Sequence, residues 1–161
     1  MIKLALYLSA IIRDNTCVEG IFPNILRKEK NMSYIFNDGG RAEAGYKGTA
    51  GDCGARAMAI ALGISYKDAY KELAQANKDM GFAKSARNGI MKEVYDMVLQ
   101  RHGWTWKQSP KFDGRKARCS DMPKGVVIAR QAKHFVAVED GVPHDIWDCT
   151  HKMVYGYWAK S

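Results

Sequence analysis

A thiol becomes a useful nucleophile as its thiolate, and a cysteine in the first turn of a helix gains from the unpaired N–H groups and positive dipole end there. Cys53 has that setting, in the run GDCGARAMAIALG. Gly51 and Gly54 flank it and leave room for another backbone to approach closely. The matching base is His134, which opens the otherwise apolar strand sequence HFVAVED. An imidazole beside a thiol can take its proton, provided a third group orients the ring. Two acids on the following segment, VPHDIWD, could do this. In a hairpin turning at Asp140-Gly141, a three-residue loop centred on Gly141 pairs His134 with Asp148. A two-residue turn pairs His134 with Trp147 instead, and leaves Asp145 as the diagonal neighbour on the same face. Asp148 is the preferred third residue, because Asp145 lies several residues nearer the turn than His134 does. Asp145 is the alternative.

The elements that must carry these residues are legible in outline. Asp52 is a suitable N-cap for a first helix, in which Ala57, Ile60, Ala61 and Ile64 recur at helical spacing around the stop at Gly63. A second helix starts at Ser65, close to a capping box, and runs to about Asn77. A third is expected from about Asn88 to Arg101, with Ile90, Met91, Val94, Tyr95, Val98 and Leu99 on one stripe and His102-Gly103 as its stop. After it the periodicity changes. Short runs rich in β-branched and aromatic residues, VVIAR, HFVAVED, VPHDIWD and MVYGYW, read as strands. Helices first and strands afterwards give an α+β fold, with N-terminal helices packed on a C-terminal antiparallel sheet. Arg56 and Arg87 read as solvated helix charges. Trp104, Trp106 and Trp158 read as core or cleft wall, with Trp147 placed to shield a histidine–carboxylate pair.

The run GDCGARAMAIALG, followed about eighty residues later by HFVAVEDG and the acid-bearing HDIWD, resembles the papain-like cysteine peptidase superfamily. The D-C-G before an Ala-rich helix, and H-F-V-A-V before a D-x-x-x-D return, are similar to bacteriocin-processing peptidases. YIFNDGGRAEAGYKGTAGDC, HFVAVEDGVPHDIWDC and VYGYW resemble a group of uncharacterised phage and bacterial proteins of this fold, from about Tyr34 to Trp158. The resemblance implies a nucleophile helix first, Cys53 as nucleophile, His134 as base and Asp148 as its orienting acid. It implies an oxyanion hole built from the Cys53 backbone N–H and one upstream donor. Papain-like peptidases commonly carry a glutamine six residues before the cysteine, and this chain has Lys47 there. Lys47 or Thr49 is then the side chain expected to donate.

Those expectations lead to a cysteine peptidase or amidase that cleaves a peptide or isopeptide bond in a peptide or protein substrate, with no cofactor. An NlpC-type cell-wall endopeptidase is the neighbouring alternative, although Gly54-Ala55 replaces the Ser-Gly of its D-C-S-G helix start. From a different class comes a non-enzymatic phage accessory protein. The formal net charge is +8, and residues 101–133 hold nine Lys or Arg against Asp113 and Asp121. Such a stretch attracts acidic partners, nucleic acid included, although no nucleic-acid recognition motif accompanies it.

One domain suits 161 residues of which 47% are hydrophobic. Cysteines at 17, 53, 119 and 149 form no C-x-x-C pair, so reduced thiols in a cytoplasmic setting are expected. Cys149-Thr150-His151, with Cys119 and His144, match no zinc spacing, and no metal is expected. The apolar stretch Leu4–Ile12 is too short to span a bilayer and lacks a cleavage site, so neither a membrane partner nor secretion is expected. Residues 1–31 read as an extension outside the fold, with Met32 as an alternative start and 32–161 as the hydrolase domain.

Overall fold

The computed structural model describes residues 34–82 and 85–161, which fall within one compact unit, Ser33–Ser161. The expectation for residues 1–31 lies outside the described residues. The chain order is β1 (Ile35–Phe36), α1 (Cys53–Leu62), α2 (Tyr66–Asp79), a 3-10 turn (Ala86–Asn88), α3 (Lys92–Arg101) and β2 (Trp104–Gln108). A second 3-10 turn (Cys119–Asp121) then precedes β3 (Val126–Gln131), β4 (His134–Glu139), β5 (Val142–Asp145) and β6 (Gly156–Lys160). The fold is α+β, as the segregation of helices and strands implies. The sheet is mixed, however, where an antiparallel one was expected. Its order is β1-β5-β4-β3-β6-β2, and β1 runs parallel to β5 at one edge.

Local chemistry explains the helix limits. Gly63 ends α1 in the left-handed region at φ 66°, where a side chain would be strained. Ser65 caps α2 by accepting from the Asp68 N–H. The third helix begins later than its apolar stripe suggests. Gly89 at φ 96° cannot continue a helix from the 3-10 turn, so Ile90 and Met91 lie before α3. That break leaves Ile90 and Met91 outside the helix, in the lining of a cleft that Cys53 shares.

The sheet is covered on both faces, which is why β4 is buried along almost its whole length instead of alternating. On one face α1, α2 and α3 deliver Met58, Leu73, Val94, Tyr95, Val98 and Leu99 against Ile128, Phe135 and Trp158. Phe135 stacks on Tyr95 with centroids 4.5 Å apart, and Trp158 meets both rings edge-on. Burying one such large side chain contributes about 1.5–3 kcal/mol. On the other face Ala117, Cys119, Met122, Cys149 and Val154 close over Val127, Ala129, Val136 and Val138.

The β4–β5 hairpin sets the register that matters most. Asp140 (φ 49°) and Gly141 (φ 87°) form a two-residue turn, and the pairs are Ala137 with His144, Val138 with Pro143 and Glu139 with Val142. Positive φ at both central residues is the type I′ geometry that matches strand twist. The three-residue loop preferred from sequence is therefore overturned. Continuing the ladder puts Asp145 opposite Val136, one diagonal step from His134 on the same face.

Candidate active site

Cys53 is the first residue of α1 and His134 the first of β4, and these two elements pack directly on each other. Asp145 is the last residue of β5. Its backbone is pinned by the short parallel strand β1, where Asn37 N–H donates to the Asp145 carbonyl at 3.0 Å. The structure thus brings a thiol, an imidazole and a carboxylate to one end of the sheet. His134 Nε2 lies 2.5 Å from Asp145 Oδ2, with both side chains buried. Nδ1 is the ring nitrogen that Asp145 leaves unengaged, and Cys53 and Cys149 both lie close enough to the ring to shift its charge.

Asp148, the acid preferred from sequence, is not the partner of His134. It is exposed beyond the end of β5 and accepts from the Thr150 N–H at 3.0 Å and hydroxyl at 2.6 Å. Asp145, the alternative, occupies the position beside the imidazole. The cause is the tight turn: shortening the loop by one residue moves every side chain of β5 to the other face.

Burial alone pushes the Cys53 thiol up. Hydrogen bonding and charge from His134, the Phe135 N–H and the Arg56 charge outweigh it and leave the thiol below its ordinary value. Burial alone would lower His134, but hydrogen bonds with Asp145, Cys149 and Cys53 raise it to about 11. Both shifts favour a thiolate–imidazolium pair near neutral pH.

A second layer of charge holds this pair, and the sequence reading missed it. Asp52, expected only as a cap, makes no capping bond with its side chain. It is buried and takes hydrogen bonds from Arg41 Nε at 2.6 Å, Tyr66 Oη at 2.5 Å and Arg56 Nη1. Arg56, expected to be solvated, is buried as well, and its Nη2 lies 3.6 Å from Asp145 Oδ1. Asp145 Oδ1 also accepts from the Ile146 N–H at 2.7 Å. Two acids and two arginines therefore neutralise one another behind the triad, as buried charges require. The N-D-G-G turn serves the same network: a Cβ on Gly39 would come 3.0 Å from the Arg56 carbonyl oxygen, so only glycine lets the loop sit there.

An open cleft of about 670 Å³ exposes Cys53. One wall is Ala50-Gly51 and the segment Asn88–Glu93, and the other is Arg130, Gln131 and Lys133–Phe135 with Ile146 and Trp147. The glycines at the cysteine serve two approaches. A Cβ on Gly51 would sit 3.5 Å from the Arg87 carbonyl oxygen, and one on Gly54 would sit 3.2 Å from the Tyr95 ring. Close backbone approach holds for Gly51, whereas at Gly54 the neighbour is an aromatic ring whose hydroxyl donates to the Gly54 carbonyl at 2.9 Å. Trp147 stands 5.1 Å from the His134 ring, centroid to centroid. Lys47 and Thr49, the expected upstream donors, are exposed and outside the cleft lining, so the structure does not bring either into the cleft with Cys53. Among the lining residues, Asn88 carries the one exposed side-chain amide.

Cys119 and Cys149 are buried, and the Cys149 thiol is raised by its hydrogen bond to Cys119 and by burial. The Cys149 shift is opposite in direction to that of Cys53. His134, Asp145 and Cys149 each present a ligand atom within 4.8 Å of the others. That set could hold a soft divalent cation only by giving up the His134–Asp145 hydrogen bond. Among the described residues no helix is long and apolar enough to cross a membrane.

The basic stretch 101–133 is not one surface. It runs through β2, an irregular segment and β3, where Arg115 pairs with Asp121 at 2.6 and 2.9 Å while Arg130 and Lys133 turn to the cleft. Compared with known proteins, the chain matches no family model, no curated protein and no solved structure.

Proposed function

We propose that this chain is a papain-like thiol hydrolase, a cysteine peptidase or amidase with Cys53 as nucleophile, His134 as general base and acid, and Asp145 as the orienting carboxylate. The observation that carries the reading is the buried Asp145 Oδ2–His134 Nε2 hydrogen bond beside an open cleft that His134 and the helix-borne thiol of Cys53 line together, each shifting the other's charge. Mere burial of three polar residues would not lower a thiol and raise an imidazole together.

In the proposed cycle the Cys53 thiolate attacks a carbonyl carbon and the carbonyl π electrons move to oxygen. The Cys53 N–H at the start of α1, free of any helical partner, donates to that oxyanion. Asn88 is the candidate for the second donor. As the tetrahedral adduct collapses, the imidazolium gives its proton to the leaving amine, and the C–N bond breaks. The imidazole then removes a proton from water, whose oxygen attacks the thioester, and the carboxylic acid leaves as the thiolate re-forms. Asp145 holds the ring and stabilises its cationic form throughout.

An activated ester tests the cycle. With p-nitrophenyl acetate the protein should release a burst of p-nitrophenol equal to the enzyme present, place one acetyl group on Cys53, and then turn over slowly. Cys53→Ser and His134→Ala should abolish the burst. Acetylation spread over lysines, or equal on Cys53 and the buried cysteines, contradicts the reading.

A further inference from the structure

The charges that line the cleft do not cancel. Arg56 is neutralised by Asp52 and Asp145, but Lys92, Arg130 and Lys133 have no carboxylate partner among the described residues. Glu93 is the one acid among the lining residues. Arg130 and Lys133 stand on the same wall, on either side of buried Gln131, and Lys133 directly precedes the base His134. Lys133 occupies the left-handed region at φ 54° in the two-residue turn between β3 and β4, an uncommon place for a lysine. That turn projects a cation at the lip of the cleft. An apolar set accompanies the cations: Ile90 and exposed Met91 on the opposite wall, exposed Ile146 and half-buried Trp147 on the cations' own wall.

We infer that the cleft selects an acidic peptide, one whose Asp or Glu side chains reach Arg130 and Lys133 while an aliphatic neighbour lies against Ile90, Met91, Ile146 and Trp147. This rests on the thiol-hydrolase reading and adds the substrate class to it. A peptide suits the lining better than a nucleic acid does, because the cations are interleaved with aliphatic side chains and no ladder of stacking aromatics accompanies them. It also explains part of the basic excess in residues 101–133, two of whose nine cations face the site.

The test uses three tripeptidyl acyloxymethyl ketones that differ only in carrying Glu, Gln or Lys beside an aliphatic residue. Adduct formation on Cys53 is followed by mass spectrometry, with iodoacetamide as an uncharged control. The Glu probe should react about tenfold faster than the Lys probe at low ionic strength, and the gap should shrink to roughly twofold in 0.5 M salt as screening sets in. Arg130→Glu with Lys133→Glu should reverse the order of the three probes when each rate is divided by that variant's own iodoacetamide rate. Equal rates for the three probes, or failure of all three, with iodoacetamide still fast, overturn the substrate class and leave the thiol chemistry standing. Slow iodoacetamide labelling of Cys53 overturns the thiol reading itself. Protection of Cys53 by a short single-stranded oligonucleotide, with none by a Glu-rich peptide, also overturns the inference.

Discussion

Asp145→Asn removes one charge and almost no volume, which makes it a sharp probe of the site. Asp145 Oδ2 lies 2.5 Å from His134 Nε2 with both side chains buried. With the charge centres roughly 4 Å apart and an effective dielectric of about 20, the lost attraction is about 4 kcal/mol. At 1.36 kcal/mol per pKa unit this lowers the imidazolium by about three units and weakens its hold on the thiolate. An asparagine amide turned toward Nε2 would also force the proton onto Nδ1 and leave that nitrogen unable to accept from Cys53. The rate of Cys53 alkylation by iodoacetamide near pH 7 should therefore fall by about 10²–10³. Asp148→Asn is the control: Asp148 is exposed and bonded only to Thr150, and the asparagine keeps an acceptor oxygen. It should change labelling by less than about twofold. Both variants are checked for folding by circular dichroism. Equal effects from the two, or a larger one from Asp148→Asn in folded protein, would refute the assignment of Asp145.

Arg56→Gln leaves Asp52 and Asp145 short of a buried cation, and should cost about 3 kcal/mol in urea unfolding. It should also move the pH midpoint of Cys53 labelling upward, because the Arg56 charge helps hold the thiol down, and Arg56→Lys should restore part of both. Gly156→Ala should lower stability by about 2 kcal/mol or more, because its Cβ would fall 2.2 Å from Trp106 and 2.7 Å from the Lys107 carbonyl oxygen. A shift in the urea midpoint and in tryptophan fluorescence reads this out. The Cys53–His134 pair also sets a pH profile of stability. His134, raised from 6.5 to about 11, stabilises the fold fully below 6.5 and loses that contribution as pH rises through 11. Cys53, lowered from 9.0, stabilises fully above 9 and loses its contribution as pH falls through its folded value. Below pH 9 the gain from Cys53 opposes the loss from His134, and between 9 and 11 only the His134 loss remains. Unfolding free energy relative to His134→Gln should therefore fall with pH between about 9 and 11, and a difference that stays flat or rises there would contradict the pairing.

The sequence disclosed the residues that sit in strongly patterned elements. Cys53 stands where a polar, glycine-flanked run meets helical periodicity, and His134 where an apolar strand begins, so both were identifiable. The acid was not, although the signal was present: Asp-Gly is the favoured pair for a two-residue type I′ turn, and its register points to Asp145. The closeness of Asp145 to the turn is the weaker cue, because diagonal neighbours on one face of a hairpin still meet. Arg56 and Asp52 were misread because helix charges are solvated by default, and their burial depends on Arg41, Tyr66 and Asp145 arriving from elsewhere in the chain. Two strands escaped notice for different reasons. β1 is only two residues long, and in β2 the polar residues of WTWKQ lie at an exposed edge. The early end of the third helical stripe was written in Gly89, whose positive φ detaches Ile90 and Met91 to line the cleft.

The central claim is that Cys53 is a thiolate held by His134, and the most direct test is its alkylation by iodoacetamide across pH, with Cys119 and Cys149 as internal references. The account predicts that Cys53 labels rapidly well below its ordinary pKa of 9.0, that the two buried cysteines label only after denaturation, and that His134→Ala removes the low-pH reactivity. Labelling of Cys53 that rises only near pH 9, or no faster than that of Cys119 and Cys149 in the native protein, would contradict it.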